Sequence, residues 1–129
     1  PMGGAFLIFP QLKQKAPIPP NSPEYHFGRN IVLSLIGPSQ KYDLEWLNSV
    51  SRVQQNKYGK VVREHFTIYN DGRGNFSIED RHSSWGTWLN GRQIKGLGRI
   101  RIQSGDKIEL KLGKPGVQQT IPFIIQFVC

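Results

Sequence analysis

His26, His65, His82 and Cys129 are the side chains best suited to metal binding, proton transfer or nucleophilic attack, and their placement supports none of these. The three histidines share no metal-ligand spacing, and the single cysteine has no evident base partner. No Gly-rich loop opens a helix, so a nucleotide cradle is missing. We therefore expect no enzyme, no metal and no cofactor. The basic side chains are more informative. Arg52, Lys57, Lys60 and Arg63 stand in one stretch, 52–63, that contains no acid. Seventeen Lys and Arg against nine Asp and Glu give a net charge of +8 and a pI near 9.9. Such a balance calls for an anionic partner: nucleic acid, an acidic membrane or a phosphorylated protein.

Those residues need a scaffold, and 129 residues with 37% apolar content are enough for one domain with a single core. Pro1-Met2-Gly3-Gly4 reads as a cleavage scar, leaving 5–129 as the domain. No apolar run approaches the roughly 20 residues of a membrane span, so no membrane partner is expected. One cysteine excludes an internal disulfide framework and fits a reducing, cytoplasmic setting.

Period-2 patterns dominate. Lys107 to Leu112 alternates charged and aliphatic residues, and Phe66/Ile68, Phe76/Ile78, Ile100/Ile102 and Ile121/Phe123/Ile125/Phe127 repeat that spacing. Asn70 to Asn75, Asn90-Gly91, Ser104-Gly105-Asp106 and Gly113 to Gly116 supply turns between them. Ala5 to Phe9 reads as a first strand. Ala16 to Pro23, with four prolines, reads as an extended loop or edge, and Glu24 to Ile36 as strand, turn at Gly28, strand. The best helical stretch, Tyr42 to Val50, is short. Short strands with turns every 8 to 12 residues indicate an all-β sandwich or barrel.

Four pieces in order then carry a resemblance: Gly28-Arg29; Ser51-Arg52 with His65; Asp80-Arg81-His82-Ser83-Ser84-Trp85-Gly86-Thr87 with Asn90-Gly91; and Gly105-Asp106. Together, over 25–128, they resemble the forkhead-associated (FHA) domain. The resemblance implies an eleven-stranded antiparallel β-sandwich that binds phosphothreonine peptides through loops at one end. The expected partner is a phosphothreonine-containing protein, with a Ser/Thr kinase or its substrate as the partner class, and the expected setting is signalling or transcriptional regulation. The short chain with Lys-, Arg- and Ile-rich strands suggests an archaeal or bacterial regulator.

A phosphothreonine carries about −1.5 to −2 charges near neutral pH and three strong acceptor oxygens, so its binder needs a fixed guanidinium, hydroxyls and free N–H groups. By resemblance, Arg29 is the main phosphate-binding arginine, with Ser51, Arg52 and Ser84 beside it. The register of the second piece has two solutions. If Ser51-Arg52 begins the family's S-R-x-H, the histidine slot falls on Gln54. If His65 is that histidine, Arg63 takes the arginine slot and Val62 the serine slot. An insertion from Val53 to Val61 reconciles them and places Lys57 and Arg63 on an enlarged, anion-binding loop. Gly28, His65, Gly86, Thr87 and Asn90 are read as scaffold, His65 as a buttress.

Trp85 departs from the pattern, because it stands where the family has an asparagine that bonds the peptide backbone. Its ring packs either on a peptide side chain or on the sandwich. Two alternatives follow. One is a degenerate member that binds its partner without phosphate. The other is a basic β-barrel for nucleic acid, with Trp46, Trp85, Trp88, Tyr58 and Tyr69 as stacking residues. Aromatics interleaved with bases on one strand face are not evident, so nucleic acid is the weaker reading.

Overall fold

Alternation along each strand decides which side chains meet in the core. The computed structural model describes residues 4–36 and 44–129. Residues 1–3 of the segment read as a cleavage scar, and Tyr42 and Asp43 of the expected helical stretch, lie outside the described residues. One sheet runs β2 (Gln14–Ile18), β1 (Ala5–Phe9), β12 (Ile121–Val128), β11 (Lys107–Leu112), β8 (Trp88–Leu89), β9 (Arg92–Gln93). The other runs β10 (Ile100–Ile102), β7 (Phe76–Asp80), β6 (Phe66–Asn70), β3 (Glu24–Phe27). A third pair, β4 (Gln54–Gln55) with β5 (Val61–Arg63), forms a ribbon of its own. Every pairing is antiparallel. The described residues thus hold twelve strand segments, ten of them in the two layers, where the resemblance implies eleven strands.

The inward residues of both layers build one core. Ile108, Leu110 and Leu112 alternate inward along β11, as do Phe123, Ile125 and Phe127 along β12. Phe27, Phe66, Ile68 and Ile78 face them from the second sheet. Aromatic contacts join the layers, with Phe9 to Phe27 at 6.1 Å and Phe76 to Phe127 at 5.1 Å between ring centroids. Within the smaller sheet Phe27 stacks on Phe66 at 4.5 Å. The proline-rich segment begins as β2, the outermost strand of the larger sheet, where Pro17 lies opposite Phe6. Proline is tolerated there because an edge strand needs ladder donors on one side only. The turns after β6, β8, β10 and β11 fall where their sequences place them.

One segment differs from its sequence reading. Beyond Gly28 the chain enters a helix, α1 (Arg29–Leu35), where a second strand is expected. The apolar run Ile31-Val32-Leu33 suits a strand in isolation. Two backbone bonds turn it instead: Arg29 N–H donates to the Ser51 carbonyl at 2.8 Å, and Ile31 N–H to the Gly28 carbonyl at 3.0 Å. The helix then buries Val32 completely and lays Ile31, Leu33 and Leu35 against the core. Tertiary contact overrides local propensity here. A shorter helix, α2 (Leu44–Leu47), lies inside the expected helical stretch and buries Leu47.

Candidate anion-binding site

Three loops meet at one end of the sandwich: the β3–α1 junction, the segment entering β4, and the β7–β8 loop. Gly28 sits at the first of these because nothing larger fits. A Cβ there would lie 2.5 Å from the Ser51 carbonyl oxygen and 2.9 Å from the Val53 nitrogen. This close approach lets the backbone of Arg29 bond to Ser51 and its side-chain Nε donate to the Val50 carbonyl at 3.0 Å. The Arg29 guanidinium is therefore fixed from one side, and its terminal nitrogens have no partner among the described residues.

The charges that act on Arg29 are positive. The Arg29 pKa is lowered, first by partial burial and then by the neighbouring charges of Arg52 and Arg63. Among the described residues, the ion pairs involve His26, Arg81 and Lys114, and none offsets Arg29, Arg52 or Arg63. Three like charges without a carboxylate repel one another, and a bound anion relieves that repulsion. Ser51 is buried at 5% exposure, yet its hydroxyl has no hydrogen-bond partner among the described residues. No fully enclosed side-chain polar atom lacks a partner among them, so this oxygen reaches the surface.

His65 ties the loops together. The Ser51 N–H donates to its Nδ1 at 3.1 Å, and its Nε2–H donates to the Gly86 carbonyl at 2.9 Å. Both bonds require the neutral ring with the proton on Nε2. Burial holds the His65 pKa below its ordinary value, which favours that form. The imidazole thus links Ser51 to Gly86 directly. The β4–β5 ribbon lies in sequence between Ser51 and His65.

In the β7–β8 loop the two serines have different surroundings. Ser83 is fully buried: its Oγ donates to Asp80 Oδ1 at 2.5 Å and accepts the Gly86 N–H at 2.9 Å. Thr87 Oγ1 donates to the same carboxylate oxygen at 2.6 Å. Ser84 is exposed, with no hydrogen-bond partner for its hydroxyl among the described residues. Gly86 needs its positive φ of 92°, and a Cβ there would meet the Gln93 amide at 2.4 Å. Asn90 stands one hairpin away, bonded through Nδ2 to Asp106 and through Oδ1 to the Lys107 N–H.

Trp85 rests on the sandwich. A Cβ on Gly113 would lie 2.1 Å from its ring, so the indole occupies space that only glycine leaves open. With Glu45, Asn48, Ser49, Lys114 and Pro115 it lines a recess of about 440 Å³. Lys57 lies toward the ribbon's tip and is not among the charges that shift Arg29. Sequence reasoning passed over Asn30, whose Oδ1 accepts the Val53 N–H at 2.9 Å, and Asp80, which organises the β7–β8 loop. The spacing of Asp80 and Ser83, a carboxylate three residues before a serine, is a local capping signal that could have found the latter.

The fold and the loop end define a β-sandwich that presents fixed cations and hydroxyls from its loops. The sequence profile of the FHA domain matches residues 25–111. This chain belongs to the FHA domain family. No curated protein matches its sequence. Among solved structures it is similar to one from a structural and functional analysis of phosphothreonine-dependent FHA domain interactions, with a TM-score of 0.59, 17% identity, and coverage of 98% of this chain and 97% of that one. It is also similar to the N-terminal FHA domain of Saccharomyces cerevisiae Rad53p in complex with a phosphothreonine peptide, with a TM-score of 0.56, 19% identity, and coverage of 97% and 92%. The FHA domain of an Arabidopsis thaliana hypothetical protein gives 0.56, 21%, 97% and 84%. No helix among the described residues is long and apolar enough to cross a membrane.

Proposed function

We propose that this domain is a phosphothreonine-dependent interaction module, without enzymatic activity, that recruits partners phosphorylated by a Ser/Thr kinase. The observation that carries this reading is the convergence of Arg29, Arg52 and Arg63, with no offsetting carboxylate, beside the unpartnered hydroxyl of Ser51. A phosphate monoester answers both features, since it brings about two negative charges and three acceptor oxygens. Arg29 is the central ligand because its Nε is held by the Val50 carbonyl while its outer nitrogens stay available for a forked contact. Ser51 and Ser84 add hydroxyl donors, and His65 holds the two hydroxyl-bearing loops in register. Family membership and the phosphothreonine peptide bound to the Rad53p domain support the same reading.

Two or three charge-assisted bonds, less the ordering of a peptide, give an affinity near micromolar, about −8 kcal/mol. The test is fluorescence anisotropy with phosphothreonine peptides, their unphosphorylated twins and Arg29→Ala. Phosphate-dependent binding that weakens by about 30- to 100-fold in Arg29→Ala is expected, corresponding to about 2–3 kcal/mol. Equal binding of both peptide forms would overturn the reading in favour of a phosphate-independent partner.

A further inference from the structure

We infer that the outer face of the larger sheet docks an amphipathic helix of a partner protein, apolar along one side and bordered by carboxylates. This face shares no residue with the phosphate site, so its role is separate from the phosphothreonine reading.

Two strands of the sheet have the composition of strands covered on both faces. A strand with one wet face alternates, as β11 does with Lys107, Glu109 and Lys111 outward and Ile108, Leu110 and Leu112 inward. By contrast, β1 reads Ala-Phe-Leu-Ile-Phe and β12 reads Ile-Pro-Phe-Ile-Ile-Gln-Phe-Val. Their inward residues fill the core, while Phe6, Ile8, Ile124 and Val128 point the other way and are half-buried. The two strands are neighbours, so these side chains form one strip, with Phe6 opposite Val128 and Ile8 opposite Gln126. Pro17, opposite Phe6, carries the strip onto β2. A contiguous apolar strip outside the core marks a binding surface.

The borders of the strip are cationic. One row across the strands reads Lys15, Ile8, Gln126, Lys107, which sets a lysine on each side of the apolar centre. Lys111 stands farther along β11, opposite Pro122. Lys13 and Lys15 rim a recess of about 420 Å³ with Ile8, Phe9, Pro10 and Gln14. Glu109 is the single acid in β2, β1, β12 and β11. Lys15 Nζ lies 4.9 Å from the centre of the Phe6 ring, and Lys111 Nζ 4.3 Å from that of Trp88. None of Lys15, Lys107 and Lys111 forms an ion pair among the described residues. The outer face of the smaller sheet differs, because its charges answer one another: His26 with Glu24 and Glu64, and Arg81 with Glu64 and Glu79. On the larger sheet the carboxylates have to come from a partner.

A helix fits this face better than a strand. A strand added at the β2 edge would lose a ladder bond at Pro17. Where β1 leaves β12, the Gln11 amide donates to the Pro122 carbonyl and its Oε1 accepts the Ile124 N–H, both at 2.6 Å. A helix needs no ladder, since it brings its backbone bonds with it. Three inter-strand steps separate Lys15 from Lys107, about 14 Å, and a helix with its side chains is about 10–12 Å across. Carboxylates on both flanks therefore reach a lysine while the apolar side lies on the strip. The eight residues of β12 span about 26 Å, matched by about 17 helical residues. A second copy of the chain would set lysine against lysine. A lipid surface calls for protruding apolar side chains, and Tyr58, Val62, Trp85, Leu97 and Val117, the large exposed ones, belong to none of these strands.

The probe is a fluorescein-labelled synthetic helix of about 18 residues, with leucine along one side and glutamate on both flanks. Its twin carries lysine in place of glutamate. Anisotropy with the full chain in 50 mM NaCl is expected to show the glutamate helix binding about tenfold tighter than the twin, a preference that shrinks at 500 mM NaCl. Lys15→Glu/Lys107→Glu, at two exposed positions, should reverse the preference. Ile124→Thr should weaken the glutamate helix about three- to fivefold, and Arg29→Ala should change neither result. Unchanged thermal midpoints of the variants confirm the fold. Equal binding of the two helices overturns the inference, and so does a preference that survives the charge reversal, which is then general attraction to a basic chain. Two further measurements can reassign the face when the helix preference is missing. Sedimentation with phosphatidylcholine vesicles containing about 30% phosphatidylserine, lost on charge reversal, gives it to a membrane. A dimer in light scattering that Ile124→Thr dissociates gives it to a second copy.

Discussion

The loops at the two ends of the sandwich are held in opposite ways. At the far end, the turn between β6 and β7 is knitted from neighbours: Asp71 accepts the N–H groups of Arg73 and Asn75 and the Asn75 amide, and Asn70 accepts the Gly72 N–H. Those partners lie two to four residues apart. At the recognition end, Ser51 bonds to His65 fourteen residues on, His65 to Gly86 twenty-one on, Arg29 to Val50 twenty-one on, and Val53 to Asn30 twenty-three back. The first turn is closed mainly by its own residues, with the Asn70 amide donating to the Pro20 carbonyl and Arg101 to the Asn75 amide oxygen from farther off. The second exists only when the sheets that carry its pieces have assembled, so binding competence is tied to global folding.

Breaking the long-range ties should therefore cost far more than breaking the local ones. The largest stability effect is expected for His65→Ala, which strands the buried Ser51 N–H and Gly86 carbonyl. A loss of about 3 kcal/mol, read from urea denaturation, is expected together with weakened phosphopeptide binding. Gly28→Ala comes next. Its new methyl meets backbone at Ser51 and Val53, which cannot swing aside, and a loss of about 1–3 kcal/mol is expected with Arg29 displaced from its carbonyl partner.

A milder perturbation is acid. The neutral His65 of the folded state has a lowered pKa, while the unfolded chain protonates near pH 6.5. Its contribution is thus complete above about pH 6.5 and is lost as pH falls toward the depressed folded value, by at most about 1.4 kcal/mol per pH unit. Denaturation from pH 7.5 to 5 should show this slope in the parent chain, and His65→Ala should lack it. Asp71→Ala is expected to have the smallest effect. Hydrogen bonds hold the Asp71 pKa down, that of the Asn75 amide foremost, but the group is fully exposed. The variant should unfold within the scatter of surface substitutions and bind phosphopeptide like the parent; a change in binding would show that the two ends are coupled.

The same contrast explains what could be read from the sequence. Strand alternation and turn residues act over a few positions, so the sheets and the turns at Asn70–Asn75 and Asn90-Gly91 were legible, and so was the family through its ordered motifs. Helix α1 was not legible, because its start depends on the Ser51 carbonyl, twenty-two positions from Arg29. The two registers at Ser51 needed an expected insertion to reconcile them for the same reason, since the residues between hide that Ser51 and His65 touch. The space that accommodates Trp85 comes from Gly113, a residue whose local context marks only a turn.

The outermost proline bears on how copies of this domain meet. Pro17 has no donor to give β1, so in its pairing with Phe6 the ring nitrogen must point away from the sheet. An approaching strand would meet a methylene there instead of an N–H, with Lys15 two residues earlier on the same strand repelling its like. The larger sheet therefore ends with its own chain on that side. A copy pairing along that edge would lose a ladder bond at Pro17, and the register on the proline's strand is broken where it sits.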